Sequence, residues 1–195
     1  MIFFISDTHF GHNNIIEFSN RPYNNIEEMN KDFIERWNSK VKNNKDIVYV
    51  LGDMFFRADN EEYILSQLNG EKHLIVGNHD GSWMTKFDAN KYFKSINTLL
   101  ETSIGHVGAS LCHYPLVTWK HQKKTFMIHG HLHNETEFDF WPLIYSNPRI
   151  LNAGVDVNGF EPVTLEELIK NNDTFKRNHP YSTKQSRVYD FASKY

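Results

Sequence analysis

The sequence predicts an α/β layered domain. Three observations carry this: apolar runs too short for helices, amphipathic helical repeats between them, and a metal-ligand type of residue just after most of the runs. The runs are Met1 to Ile5, Ile47 to Leu51, Leu74 to Val76, Ala109 to Cys112, Phe126 to Ile128 and Ile150 to Val155. All are rich in β-branched, aromatic or other apolar residues, the composition of buried strands. The first helix is read from IEEMNKDFIERWNSKV. There Ile26, Met29, Phe33, Ile34, Trp37 and Val41 fall at i, i+3, i+7, i+8, i+11 and i+15, giving one apolar and one charged face. Asn25 with Glu28 supplies an N-cap and a capping-box partner. A second helix, from about Glu61 to Asn69, is capped by Asp59 or Asn60 and stopped by Gly70; a third starts at Thr164 with Glu167 in the box position. The later, helix-poor strands suit a second, mixed sheet laid against the first.

At 195 residues the chain is expected to form a single domain spanning 1–195, large enough to bury a core. No internal repeat, low-complexity stretch or linker divides it. The polar segment after Asp173 is expected to be peripheral. The lone Cys112 cannot form an internal disulfide, and no leader-like pattern precedes the first strand, so a reducing, cytoplasmic setting is expected. No apolar run approaches the roughly 20 residues that cross a bilayer. A formal net charge of −3 gives no global attraction to nucleic acid or anionic lipid, which leaves a nucleic-acid partner open and membrane binding excluded. The unusual count is eleven histidines against one cysteine, which directs attention to imidazole chemistry.

Their positions give that count its meaning. Met1 to Ile5 is followed by Asp7, His9 and His12; Ile47 to Leu51 by Gly52 and Asp53; Leu74 to Val76 by Gly77, Asn78, His79 and Asp80. Ala109 to Cys112 leads into His113, and Phe126 to Ile128 into His129, Gly130, His131, Leu132 and His133. In layered α/β folds the carboxyl ends of strands gather on one edge, so five separate segments converge on one site. The glycines before Asp53, Asn78 and His131 suit tight exits and close backbone approach. Mixed Asp, His and Asn ligation without thiolate suits borderline-hard divalent ions such as Mn²⁺, Fe²⁺ or Zn²⁺. The candidates exceed one coordination sphere, whereas two ions sharing a carboxylate would use them all.

The ordered pattern D-x-H, GD, GNHD, H, GHxH resembles the calcineurin-like metallophosphoesterase superfamily over about Ile2 to Val157. The resemblance implies a four-layer αββα sandwich with two mixed β-sheets, and two divalent ions, Mn²⁺ first with Fe²⁺, Zn²⁺ or Ni²⁺ as alternatives. It implies that Asp7, His9 and His133 hold one metal, Asn78, His113 and His131 the other, and that Asp53 bridges. It further implies hydrolysis of a phosphomono- or diester by in-line attack of a bridging hydroxide, with His79 facing the scissile phosphate and Asp80 orienting His79. His12, beyond the minimal motif, and Arg57, four residues past Asp53, are candidate phosphate contacts, as is Asn78. A nucleotide-like or small phosphodiester substrate is favoured. The alternatives are a nuclease acting on single strands and a non-catalytic metal-binding interaction module.

Taken singly, Asp7, Asp53, Asn78 or His113 would read as a turn residue, a helix cap or a satisfied polar group. Their joint placement is what argues for chemistry. His129 is expected to be a core histidine on the other side of its strand. His73, His106, His121 and His179 are expected at the surface. The segment EFDFWPLIY, Glu137 to Tyr145, reads as a packed loop or as a cleft wall whose Phe140 or Trp141 stacks a nucleobase. Asn152 is a candidate for supporting a ligand, and Asp156 reads as a turn acid.

Overall fold

A computed structural model describes residues 1–181. The first sheet contains β1 (Ile2–Ile5), β2 (Ile47–Val50), β3 (Glu71–Ile75) and β4 (Phe93–Asn97), in that order and all parallel. The second contains β5 (Leu99–Ile104), β6 (Val107–Cys112), β7 (Phe126–His129) and β8 (Ile150–Asn152), with β5 antiparallel to β6 and the other pairs parallel. Only the second sheet is therefore mixed. The first is wholly parallel because α2 (Ile26–Lys40) and α3 (Glu61–Gln67) supply crossovers that return the chain to the same end. The remaining helices are α1 (Ile15–Phe18), α4 (Asp80–Trp83), α5 (Trp141–Ser146) and α6 (Leu165–Asn178), with a short 3-10 turn at Ala89–Lys91.

Alternation along each strand explains the layering, because successive side chains point to opposite faces. Phe3, Ile5, Val48, Val50 and Leu74 face Met29, Phe33 and Trp37 of α2 and Ile64 and Leu65 of α3. Phe4, Tyr49, Leu51 and Ile75 point the other way and meet Ala109, Leu111, Ile128 and Leu151 of the second sheet. Met127 and Ile150, on that sheet's outer face, pack with Trp141 and Ile144 of α5 and Phe175 of α6. Helices on both outer faces and two sheets between them form the expected sandwich. Fully burying a side chain such as Met29 or Phe33 contributes roughly 1.5–3 kcal/mol.

The Asn25 side chain accepts from Glu28 N–H at 2.9 Å, but the Glu28 carboxylate returns to Asn24, so the box is displaced by one residue. Thr164 and Glu167 form the full reciprocal box. Three expectations are corrected. β4 and β5 were not foreseen, because both are sheet edges whose half-exposed sequences, FKSIN and LLETSI, lack a continuous apolar run. Part of EFDFWPLIY is helical, since Pro142 sits in the first turn of α5, where its missing N–H costs nothing. The segment after Asp173 is not peripheral from its start: α6 runs to Asn178 and buries Lys176, whose Nζ donates to the Asn147 and Ile150 carbonyls. The rest of that segment, residues 182–195, lies outside the described residues. No described helix is long and apolar enough to cross a membrane.

Candidate metal centre

Five loops leave the carboxyl ends of β1, β2, β3, β6 and β7, and their backbones are bent to bring side chains inward. Of nine non-glycine residues with positive φ among those described, five are candidate ligands: Asp7 (58°), His9 (50°), Asp53 (52°), His131 (70°) and His133 (49°). A left-handed conformation costs such residues of order 1–3 kcal/mol each, which the surrounding structure must offset. Gly52, at φ 89°, begins the turn into Asp53, and a Cβ there would collide with the His113 ring and Gly77. A Cβ on Gly130 would overlap Ser6 and the Asp7 carboxylate. Glycine at these two exits lets the loops close on one another.

Asp7, His9 and His133 offer donor atoms that all lie within 4.8 Å of one another. His133 Nδ1–H donates to Asp156 Oδ2 at 2.8 Å, which fixes the tautomer and leaves Nε2 free to ligate. Asp156 is gripped in turn by Arg21, through Nε to Oδ1 at 2.8 Å and Nη2 to Oδ2 at 3.0 Å. The same guanidinium donates to the backbone carbonyls of Asp7 at 2.7 Å and Thr8 at 2.9 Å. Burial works against charge on Asp156, but the bond from His133 and the Arg21 charge outweigh it and hold the carboxyl below its ordinary range. Burial, then the His133 charge, pushes His9 down to about 2, so its ring is neutral. Both His9 ring nitrogens are buried without a hydrogen-bond partner. A neutral ring carries one lone-pair nitrogen, and finding it buried without a partner beside two carboxylates is what a cation site leaves behind, so a divalent ion fits there.

Asp53, His113 and His131 form the second group, again with donors within 4.8 Å of one another. His113 Nδ1–H donates to the Leu51 carbonyl at 2.7 Å, which turns Nε2 toward Asn78 Oδ1 at 3.0 Å and Asp53 Oδ2 at 3.4 Å. Burial disfavours a proton on His113. The Asp53 hydrogen bond and the Asp7 and Asp53 charges outweigh burial and raise it to about 9. The proton on Nε2 thus stands among three converging donors, where a cation would sit. Burial also opposes charge on Asp53, but His113, the His79 N–H and His9 hold it at about 2. Asp53 Oδ2 lies 3.8 Å from His9 Nε2 and 3.4 Å from His113 Nε2, so one carboxylate oxygen stands between the two groups.

The sequence profile of the calcineurin-like phosphoesterases matches residues 1–191. The chain belongs to the calcineurin-like phosphoesterase family. It is 37% identical over 174 residues to the uncharacterized protein MJ1445 of Methanocaldococcus jannaschii, covering 87% of this chain and 89% of that one. It is 28% identical to the Gene 66 protein of Mycobacterium phage L5, over 80% of this chain and 86% of the relative. The crystal structure of a protein of unknown function, AQ665 from Aquifex aeolicus, superposes with a TM-score of 0.68 at 26% identity, covering 87% of this chain and 98% of its own. Membership fits a metal-dependent phosphoesterase and the two ligand groups found here.

The structure brings Asp7, His9, Asp53, Asn78, His113, His131 and His133 together at one edge. His79 joins them: its backbone N–H donates to Asp53 Oδ1 at 2.9 Å, and its half-exposed ring stands with Nε2 3.9 Å from Asp53 Oδ2. Asp80 is a correction. It does not touch the His79 ring, because all four of its acceptor positions are taken by Gly77 N–H, Asp53 N–H, Met54 N–H and Trp83 Nε1–H at 2.7–3.0 Å. Asp80 therefore ties the Asp53 loop to the Asn78 loop. His12 lies beside the centre, its ring centroid 4.1 Å from Phe56 and 5.4 Å from His9. Burial and the neighbouring His79 and Arg21 push it down to about 4. Arg57 is exposed, its guanidinium 5.2 Å from the Phe56 ring.

His129 is fully buried, and the Asn152 side chain holds the His133 carbonyl at 2.8 Å, both as expected. Trp141 is buried among Tyr145 and Phe175 and cannot stack a base, whereas Phe140 is exposed and lies parallel to Phe138, with 4.9 Å between ring centroids. Sequence reasoning missed Arg21 and Phe56 altogether and took Asp156 for a turn acid. Asp156 had one usable signal, an acid directly after a predicted strand pointing to the same edge. Arg21, in a loop far from any motif, had none.

Proposed function

We propose that this chain is a dinuclear metal-dependent phosphoesterase that hydrolyses small phosphomono- or diesters. The observation that carries the reading is Asp53 Oδ2 placed between His9 and His113, an acid of one three-donor group lying 3.8 Å from a ring nitrogen of the other. Asp7, His9 and His133 would hold one divalent ion, Asn78, His113 and His131 the other, and Asp53 both. Two such ions, Mn²⁺ first, supply charge neutralisation for the phosphate and a hydroxide-strength nucleophile at neutral pH.

The protein's own groups complete the chemistry. His79, half-exposed above Asp53, donates a proton to the departing alkoxide or a hydrogen bond to the transferring phosphoryl group. His12, neutral at pH 7, enters as an N–H donor toward phosphate, with Phe56 packed on its ring. Arg57 is close enough to the same aromatic platform to swing its planar fork toward a phosphate oxygen. Of the two small-substrate classes expected, nucleotide-like and simple phosphodiester, the nucleotide-like one loses support from the burial of Trp141.

The test is a screen of phosphorylated metabolites, dinucleotides, simple aryl phosphodiesters and single-stranded oligonucleotides with Mn²⁺-loaded protein. Manganese-dependent release of product from small esters is expected. Cleavage confined to oligonucleotides would replace this reading with a nuclease, and no turnover of any class would leave a metal-binding interaction module.

A further inference from the structure

Immediately beside the second ligand group is a cavity of about 340 Å³ that the metal chemistry does not use. The volume is within the range of small-molecule sites. Its walls include Tyr114, Leu116 and Val117 from the loop after β6, and Phe140, Leu143 and Ile144 at α5. His131, a candidate ligand, lines it too. The Tyr114 ring lies 4.6 Å from the His131 ring and 5.2 Å from the His113 ring, so the cavity and the metal centre share a wall.

Three features of the cavity specify its occupant. Among the described residues no Lys, Arg, Asp or Glu lines it, and the polar side chains are His131 and the Tyr114 phenol. Four large apolar side chains there remain exposed: Val117 at 80%, Leu143 at 56%, Tyr114 at 46% and Phe140 at 41%. An apolar cluster on this scale marks a binding surface rather than ordinary surface composition. The α5 wall is also firm, because Trp141 and Ile144 anchor the helix in the outer core behind it.

We propose that this cavity is the subsite for an apolar aryl or alkyl substituent of the phosphoester whose phosphate is bound at the metal centre. The inference rests on the phosphoesterase reading and names its substrate class. A phosphate bound to the ion that Asp53, His113 and His131 would hold would lie on the side of the centre that Tyr114 shares with the cavity. A hydrocarbon arm on an ester oxygen gains by leaving water, by up to roughly fourfold in binding per methylene. A ribose or sugar arm would lose its water without finding partners, since polar groups buried unpaired are costly.

Two measurements test this, the first needing no turnover. Methyl-, butyl- and benzylphosphonate, which cannot be hydrolysed at the P–C bond, are titrated calorimetrically into the metal-loaded protein. Affinity is expected to rise in that order, by tenfold or more from methyl to benzyl. Val117→Asp and Leu143→Asp, both at exposed positions, should bring the benzyl-to-methyl ratio toward one. The second measurement compares kcat/KM for p-nitrophenyl phosphodiesters whose other arm is methyl, butyl, phenyl or thymidin-5′-yl. The leaving group is constant, so phenyl and butyl should exceed both methyl and thymidyl. Equal phosphonate affinities, an order the two variants leave intact, or a preference for the thymidyl arm would overturn the proposal. Hydrolysis without an arm preference would overturn the subsite alone. Ordered phosphonate binding without hydrolysis of any ester would uphold the subsite and overturn the phosphoesterase reading. Failure of every phosphonate to bind would overturn both.

Discussion

Replacing Arg21 should damage both the fold and the metal centre, although Arg21 touches no candidate donor atom directly. The guanidinium is fully buried and makes two bonds to Asp156 and one each to the Asp7 and Thr8 carbonyls. Arg21→Ala removes all four and leaves the Asp156 carboxylate buried with only His133 as partner. Breaking a buried pair from one side costs about 3–5 kcal/mol, and the surviving His133 bond puts this case toward the lower end. That is a large part of the 5–15 kcal/mol typical of a domain. The carboxylate that orients His133 would lose its clamp and Asp7 its backbone anchor, so metal affinity should fall by roughly 10–100-fold. The assay is urea unfolding of the metal-free protein, with Mn²⁺ affinity measured separately. Arg21→Lys, which keeps the charge without the planar fork, should fall between wild type and alanine and remains measurable if alanine does not fold. A loss below 1 kcal/mol with unchanged Mn²⁺ affinity would refute the reasoning.

Three further outcomes follow from the same geometry. Asp53→Asn should retain the fold, bind fewer than two equivalents of metal and lose turnover; full activity with two equivalents would remove Asp53 from its place between the ions. His79→Ala should lose about 10²–10⁴-fold on esters with poor leaving groups and much less on p-nitrophenyl esters, with metal content normal; equal losses on both would make His79 a phosphate-positioning group. His113 is raised from 6.5 to about 9, so in the metal-free protein its stabilisation is complete below pH 6.5 and is lost as pH rises through about 9. An entering ion must displace that proton, so Mn²⁺ affinity should rise by up to roughly tenfold per pH unit toward pH 9, with proton release detectable by calorimetry in buffers of different ionisation enthalpy. A pH-independent affinity would mean His113 is not a ligand.

The parts of the molecule legible in the sequence are those written in local patterns. Buried strands such as IVYV and the face of α2 are continuous runs or helical repeats, and the ligands follow them directly in the chain. β4 and β5 escaped because an edge strand buries only half of itself and needs no apolar run. Asp80 was assigned to its chain neighbour His79, while the fold turns it inward to backbone N–H groups from two loops, a choice only tertiary structure makes. Arg21 and Asp156 are 135 residues apart and meet only because β1 and the segment after β8 run side by side, with Ser6 paired to Gly154. The apolar cavity was half visible in EFDFWPLIY; which aromatic faces outward depended on the register of α5, which Pro142 sets.

The most direct measurement is the rate of aryl phosphodiester hydrolysis as Mn²⁺ is titrated into metal-free protein, with bound metal counted at each point. The expected result is negligible turnover without metal, a rate that climbs chiefly as the second site fills, and a plateau at two equivalents per chain. Full activity at one equivalent, or none with two bound, would contradict a dinuclear phosphoesterase centred on Asp53.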